Sequence, residues 1–122
     1  MDYLAIFLPL PPSALFPNDR SHWSTKVRQI RHARWRACCA AKEAIGRNAP
    51  PMWRQAALVV RFSFPGHCRF DPSNLMRSLK AYEDGLQDAG VIANDTRGFV
   101  EHGPVTEERG PVGVLLIVEM VA

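Results

Sequence analysis

Two aspartates beside turn-forming residues, Asp71 in Asp71-Pro72 and Asp95 in Asn94-Asp95, are the side chains of this 122-residue chain best suited to chemistry. Carboxylates are hard oxygen ligands, and magnesium, which keeps several of its waters, needs only two or three of them. A metal held this way neutralises charge on a phosphate and supplies an activated water, which is what phosphodiester hydrolysis requires. Asp71 also has an ordinary reading as the cap of a helix beginning at Pro72. A helix of about 17 residues between the two aspartates spans about 25 Å. They meet only if the following loop or strand carries Asp95 back toward the helix start. Asp84 and Glu101 are further carboxylates that such a site can recruit.

Other ligand sets are poorly represented. His22, His32, His67 and His102 have no metal-ligand spacing, although His67 lies close enough to Asp71 to line a site. Cys38, Cys39 and Cys68 are odd in number and lack CxxC spacing, which argues against a disulfide framework or a zinc site. The apolar run Tyr3 to Leu10 follows Asp2 and meets two prolines, so it reads as neither signal peptide nor membrane span. A reducing cytoplasmic setting is expected.

Charge is divided along the chain. From Arg20 to Arg54 there are nine Lys and Arg residues against the single acid Glu43, a local net charge of +8. From Gln55 onward six basic residues face nine acidic ones. Basic residues release counterions from phosphates while carboxylates hold a divalent cation, so the division suits an enzyme acting on a polyanion. A solvated charged helix face is the plainer explanation of the basic segment. Trp23, Trp35 and Trp53 lie in or beside it, where they can stack on exposed bases, although core or dimer packing is the commoner use of such residues.

These residues must be positioned by one small domain spanning residues 1–122. Tyr3 to Leu10 reads as a strand ended by prolines. Ser24 is the expected N-cap of a helix reaching about Arg47, with Val27, Ile30, Ala37, Cys38, Ala41 and Ile45 on its apolar side. Arg28, Arg31, Trp35 and Lys42 fall on another side, while Arg34 intrudes on the apolar one, either snorkelling to the edge or serving a partner. Ala56 to Phe64 has the β-branched and aromatic content of a buried strand. A second helix is expected over Pro72–Ala89, with Gly90 at its C′ position and Leu75, Leu79, Tyr82 and Leu86 facing the core. Its other face carries Ser73, Arg77, Lys80, Asp84 and Asp88, with Lys80 and Asp84 one turn apart. Gly98 to Val105 and Val112 to Val121 complete a βαβαββ order, which predicts a mixed α/β (α+β) fold with a small mixed sheet covered mainly on one side by two main helices.

The segments Phe70-Asp71-Pro72-Ser73-Asn74-Leu75, Leu79-Lys80-Ala81, Asp84-Gly85-Leu86, Asp88-Ala89-Gly90-Val91-Ile92 and Asn94-Asp95 together resemble the core of the RusA-type Holliday junction resolvases. That pattern runs D-x-D-N-L, K-A, D-x-L-x-x-A-G-V-I and D-D. The Leu8-Pro9-Leu10-Pro11-Pro12-Ser13 opening and the terminal strand with Glu119 are also similar to it, so the likeness covers nearly the whole chain. It implies a homodimeric endonuclease that cuts four-way DNA junctions with magnesium or manganese. Asp71 and Asp95 match the first and last motif aspartates, Lys80 the lysine after the first motif, and Asn74 and Leu75 match directly. Asp84 matches a further aspartate, whose place in the pattern is structural or metal-binding.

Two positions depart from the pattern. Ser73 stands where the family has its second aspartate, and Asn94 where an acid commonly precedes the last one, leaving the motif two negative charges short. The resemblance implies Asp71, Lys80 and Asp95 as catalytic residues, Asp71 and Asp95 as metal ligands with Asp84 as a further candidate, and Ser73 and Asn74 as residues lining the site. Arg28, Arg31, Arg34, Lys42, Arg69 and Arg77 are the expected DNA contacts. The expected partner is branched DNA and the expected setting is the cytoplasm of a bacterial or phage-infected cell. A junction-binding protein weakened or inactive in cleavage is the alternative that Ser73 motivates.

Overall fold

Strict alternation makes the first strand. Along Tyr3–Leu8 (β1) Leu4, Ile6 and Leu8 are buried while Tyr3, Ala5 and Phe7 are exposed, the period of a strand with one covered face. Ala56–Phe64 (β2) behaves the same way, burying Ala56, Leu58, Val60, Phe62 and Phe64, and its limits are those expected from the sequence. The computed structural model describes residues 2–12, 15, 20–66, 77–93 and 101–121, and of residues 101–105 and 107 only the backbone. Within these residues the order continues as expected: α1 (Trp23–Ile45) precedes β2, and α2 (Lys80–Asp88), β3 (Glu101–Arg109) and β4 (Gly113–Met120) follow it.

The four strands form one mixed sheet in the order β1-β4-β2-β3. β4 is antiparallel to β1 and β2, and β3 runs parallel to β2 at the edge. The chain is thus a small mixed α+β fold with, among the described residues, two helices. A parallel neighbour requires a crossover, which α2 provides between β2 and β3. The link from β3 to β4 then passes around the end of β2, where the Gly110 N–H donates to the Phe64 carbonyl over 3.0 Å.

β3 runs past the expected end at Val105 as far as Arg109, while residues 98–100 of the expected Gly98 to Val105 fall outside the described residues. Its register is interrupted once: Leu58 pairs with His102 but Val60 with Val105, so one extra residue bulges at Gly103-Pro104. Proline has no N–H for a ladder and is confined to edges and bulges, and here it has both. Beyond the bulge the strand runs on as far as Arg109 beside Phe64.

α1 starts one residue before the expected Ser24 cap. His22 is the cap, its Nδ1 accepting from the Ser24 N–H at 3.2 Å and lying 2.8 Å from the Ser24 hydroxyl. At the other end Gly46 takes φ 66°, and the Asn48 side-chain amide donates to the Ile45 carbonyl, so the helix stops short of Arg47. Its buried stripe is Ala33, Ala37, Ala41 and Ile45. Val27 and Cys38 are only partly buried and Ile30 is exposed, contrary to the expected apolar side.

The stripe is small because α2 comes very close. Ala81 and Gly85 of α2 are buried, and a Cβ added at Gly85 would stand 2.7 Å from the Ala37 Cβ and collide with the Arg34 carbonyl. A second side of α2, with Tyr82 and Leu86 and the preceding Leu79, is buried in the same core as the inward residues of the sheet. The Tyr82 hydroxyl donates to the Pro9 carbonyl over 2.7 Å, tying α2 to the end of β1. The end of α2 is the expected glycine stop. Gly90 has φ 85°, its N–H donates to Gln87 and the Val91 N–H donates to Leu86, the two bonds of a Schellman motif. The expected start at Pro72 lies outside the described residues. The chain is helical at Arg77-Ser78 and turns at Leu79 before Lys80.

Candidate nucleic-acid interface

The side of α1 turned away from the core is basic. Arg28, Arg31 and Lys42 are all exposed there, and Trp35 stands among them 62% exposed, with the His32 ring 6.0 Å from it and tilted by 32°. Fourteen residues separate Arg28 from Lys42, or about 21 Å along the helix at 1.5 Å per residue. Trp23 is 71% exposed at the helix start, whereas Trp53 is buried. Core packing therefore accounts for Trp53 and not for the other two.

Arg34 settles at the edge of this surface. Its Nε and Nη2 donate to the two carboxylate oxygens of Asp88 over 2.5 and 2.8 Å, a bidentate pair between α1 and α2. The hydrogen bond from Arg34 holds the Asp88 carboxyl below its ordinary range, with burial opposing and the charges of Arg34 and Lys42 adding to the shift. Arg34 in turn is held more firmly protonated, first by its hydrogen bond to Asp88 and then by the charge of Asp88. The reading that it snorkels to the edge is met, and the partner it finds is Asp88.

The polar row of α2 adjoins this pair. Arg77 and Lys80 are exposed, Asp84 is half-buried, and the Lys80 Nζ donates to Asp84 Oδ1 over 2.9 Å. The basic face of α1 thus leads through Arg34 and Asp88 to Asp84 and Lys80. Asp84 is an oxygen donor of the kind magnesium takes, but in this arrangement it neutralises Lys80. Among the described residues no three His, Cys, Asp or Glu side chains gather to hold a metal ion.

Asp71, Ser73, Asn74, Arg69 and Asp95 lie outside the described residues, as does His67. The elements bracketing them are in place. Residues 67–76 join the end of β2 to the helical turn at Arg77, and residues 94–100 join Ala93 to β3. Before that second link the chain is fastened to the segment preceding β2: Met52 N–H donates to Gly90, Trp53 N–H to Val91 and Ala93 N–H to Trp53. Glu101 pairs through its backbone with Ala57 at the start of β3.

Sequence reasoning missed the partnership of Arg34 with Asp88, although the intrusion of Arg34 into an apolar stripe was its signal. It placed Ala37 and Ala41 on the apolar side of α1 but missed that Ala33 joins them and that the stripe faces Ala81 and Gly85, which alanine and glycine at four-residue spacing could have revealed.

No known family's sequence model matches the chain. It is 32% identical over 115 residues to an uncharacterized protein of Xylella fastidiosa (strain Temecula1 / ATCC 700964), spanning 93% of this chain and 73% of that protein. The two belong to one family. Because the shared stretch covers nearly the whole chain, the likeness to the Xylella protein is one of the entire domain and not of an isolated motif. Among the described residues, no helix is long and apolar enough to cross a membrane.

Proposed function

We propose that this chain is a metal-dependent, structure-selective DNA endonuclease of the RusA type, acting as a homodimer on four-way junctions or related branched DNA in the cytoplasm. The observation that carries the reading is the continuity of the exposed Arg28, Arg31, Trp35 and Lys42 face of α1 with the α2 row that holds Lys80. Such a face binds phosphates through charge and accepts an unpaired base on its indole, contacts that read DNA shape more than sequence.

In this proposal Asp71 and Asp95 hold a magnesium or manganese ion, with Asp84 as a third candidate. The ion supplies charge neutralisation at the phosphate and an activated water. Lys80 stabilises negative charge developing on the phosphate, which requires its ammonium to leave Asp84 or to act from beside it. Ser73 offers a neutral hydroxyl where the resemblance implies a carboxylate, and Asn74 lines the same site. Arg69 and Arg77 extend the basic contacts toward the site. A twofold dimer places two such sites on opposing strands of a junction of matching symmetry.

A second reading is favoured by Ser73 and by the engagement of Lys80 with Asp84: a protein that binds branched DNA without cutting it. A synthetic four-way junction incubated with the protein and Mg²⁺ or Mn²⁺, beside an Asp71→Asn control, separates the two. Metal-dependent nicking lost in Asp71→Asn is the expected result. Tight junction binding without nicking under either metal leaves only the second reading.

A further inference from the structure

Charges alternate along the seam between α1 and α2. Lys80 donates to Asp84, the charge of Asp84 acts on Arg34, Arg34 donates to Asp88, and the charge of Lys42 acts on Asp88. Lys80, Arg34, Asp88 and Lys42 are all exposed, so a ligand can reach the row from solvent. Three cations against two acids leave the row positive. Arg31, one turn before Arg34 on α1 and also exposed, adds a further cation beside it.

The Arg34 and Asp88 pair differs from the Lys80 and Asp84 pair in what it fixes. Lys80 reaches its acid through one bond along its own helix. Arg34 donates from Nε and Nη2 to both oxygens of an acid on the other helix, over 2.5 and 2.8 Å. Two parallel bonds set the plane of a guanidinium as well as its position. The backbone beneath is held too, because the Arg34 carbonyl lies so close to Gly85 that a Cβ there would collide with it. Arg34 is thus fastened to α2 at both ends of its side chain. A guanidinium has five N–H donors, and among the described residues Arg34 Nη1 donates to nothing.

We infer that Asp88 is a positioning residue that presents Arg34 as a preformed fork to a phosphate of the DNA backbone. The inference rests on the DNA-binding part of the proposal above and is independent of the metal chemistry. The free edge of the planar guanidinium matches two phosphate oxygens, as an ammonium does not. A side chain already held in place also loses less freedom on binding. Arg31 and Lys42 lie about 4.5 and 12 Å from Arg34 along α1, where they can neutralise neighbouring phosphates. By charge alone Asp88 opposes such binding, since it repels the phosphate. Its benefit is orientation, and the two effects have opposite signs.

Fluorescence anisotropy of the full chain on a labelled four-way junction and a linear duplex, without metal, reads that sign, with circular dichroism melts reporting folding. Asp88→Asn should weaken binding to both DNAs about fivefold although it removes a negative charge, and Asp88→Glu should stay within about twofold of the parent. Arg34→Lys should cost about fivefold with an unchanged salt slope, because the cation is kept and the fork is lost. The double variant Arg34→Lys, Asp88→Asn should bind within about twofold of either single variant, since the two residues act as one unit. Unchanged or tighter binding by Asp88→Asn, unchanged binding by Arg34→Lys, or losses that multiply in the double variant overturns the inference. Arg34→Lys keeps the test intact if Asp88→Asn fails to fold. A parent protein that binds neither DNA removes the nucleic-acid reading and this inference together, whereas one that binds without cleaving leaves the role of Asp88 standing and removes only the nuclease.

Discussion

The Lys80 ammonium and the Asp84 carboxylate lie 2.9 Å apart, one turn from each other on α2, so the cation proposed to act on the phosphate is held by the acid proposed as a third metal ligand. An i,i+4 pair of this kind contributes about 0.3–0.5 kcal/mol to a helix. Asp84→Asn should therefore cost little stability in urea denaturation. Lys80→Ala should lower junction cleavage about 10²-fold while leaving junction affinity within about threefold, the signature of a group acting in the transition state. Equal losses in binding and cleavage would make Lys80 a phosphate contact instead.

Gly85 sets the distance between the helices. A methyl group there meets the Arg34 carbonyl and the Ala37 Cβ, neither of which can swing aside. Gly85→Ala should destabilise the fold by about 2–3 kcal/mol through overpacking. Gly66→Ala, where a Cβ would meet nothing within 4 Å, serves as its control and should be near neutral. Urea midpoints compare the two directly, and equal midpoints would mean that α1 and α2 pack less closely than described.

Tyr82 gives the stability a dependence on alkaline pH. Burial pushes its phenol up to about 12, against an ordinary value of about 10. The folded state favours the protonated form, so this contribution is complete below about pH 10 and declines as pH rises toward about 12. Tyr82→Phe should remove that part of the slope. At neutral pH it should cost about 1 kcal/mol by leaving the Pro9 carbonyl without its hydroxyl donor. Chemical denaturation of both proteins at neutral and alkaline pH measures each effect.

How much of this was legible in the sequence depended on how local each cause is. β2 could be bounded to the residue because β-branched and aromatic side chains run from Ala56 to Phe64 and stop at Pro65-Gly66. β3 could not, since Glu101–Arg109 has no apolar alternation and is a strand only because β2 lies beside it. Leu79, Tyr82 and Leu86 of the α2 core stripe were readable from spacing, and the stop from the glycine at residue 90, while Leu75 of the expected stripe lies outside the described residues. Ile30 was misread because helical periodicity gives a direction but not the extent of the neighbour, and the buried stripe of α1 begins only at Ala33. At the candidate site the Lys80 and Asp84 pair was readable. The Arg34 and Asp88 pair joins residues 54 positions apart and depends on how the helices dock. Asp71 and Asp95 lie outside the described residues, and their proposed role comes from their motif.

The exposed face of α1 should control the salt dependence of DNA binding. Removing one cation that neutralises a phosphate lowers the slope of log affinity against log salt by about one. Replacing Arg28, Arg31 and Lys42 together with alanine should reduce the slope by about 2–3. Trp35→Ala should leave the slope unchanged while weakening binding to junctions with unpaired bases by about 1–3 kcal/mol. Fluorescence anisotropy across a salt series separates these effects. An unaltered slope in the triple variant would place the phosphate surface elsewhere on the domain.

Ser73 decides how strongly the proposed site can hold its metal. A hydroxyl contributes an oxygen but no charge, and a divalent cation facing Asp71 and Asp95 is better neutralised by a third carboxylate. Ser73→Asp should therefore tighten magnesium binding and raise cleavage at limiting metal, with the larger gain at low concentration. Junction binding without metal should weaken slightly, because the new charge repels the phosphate until a cation lies between them. Cleavage titrated against Mg²⁺ in both proteins, together with metal affinity by calorimetry, provides the comparison. Loss of both metal affinity and cleavage in Ser73→Asp would show that the site works with a ligand set in which residue 73 must remain neutral.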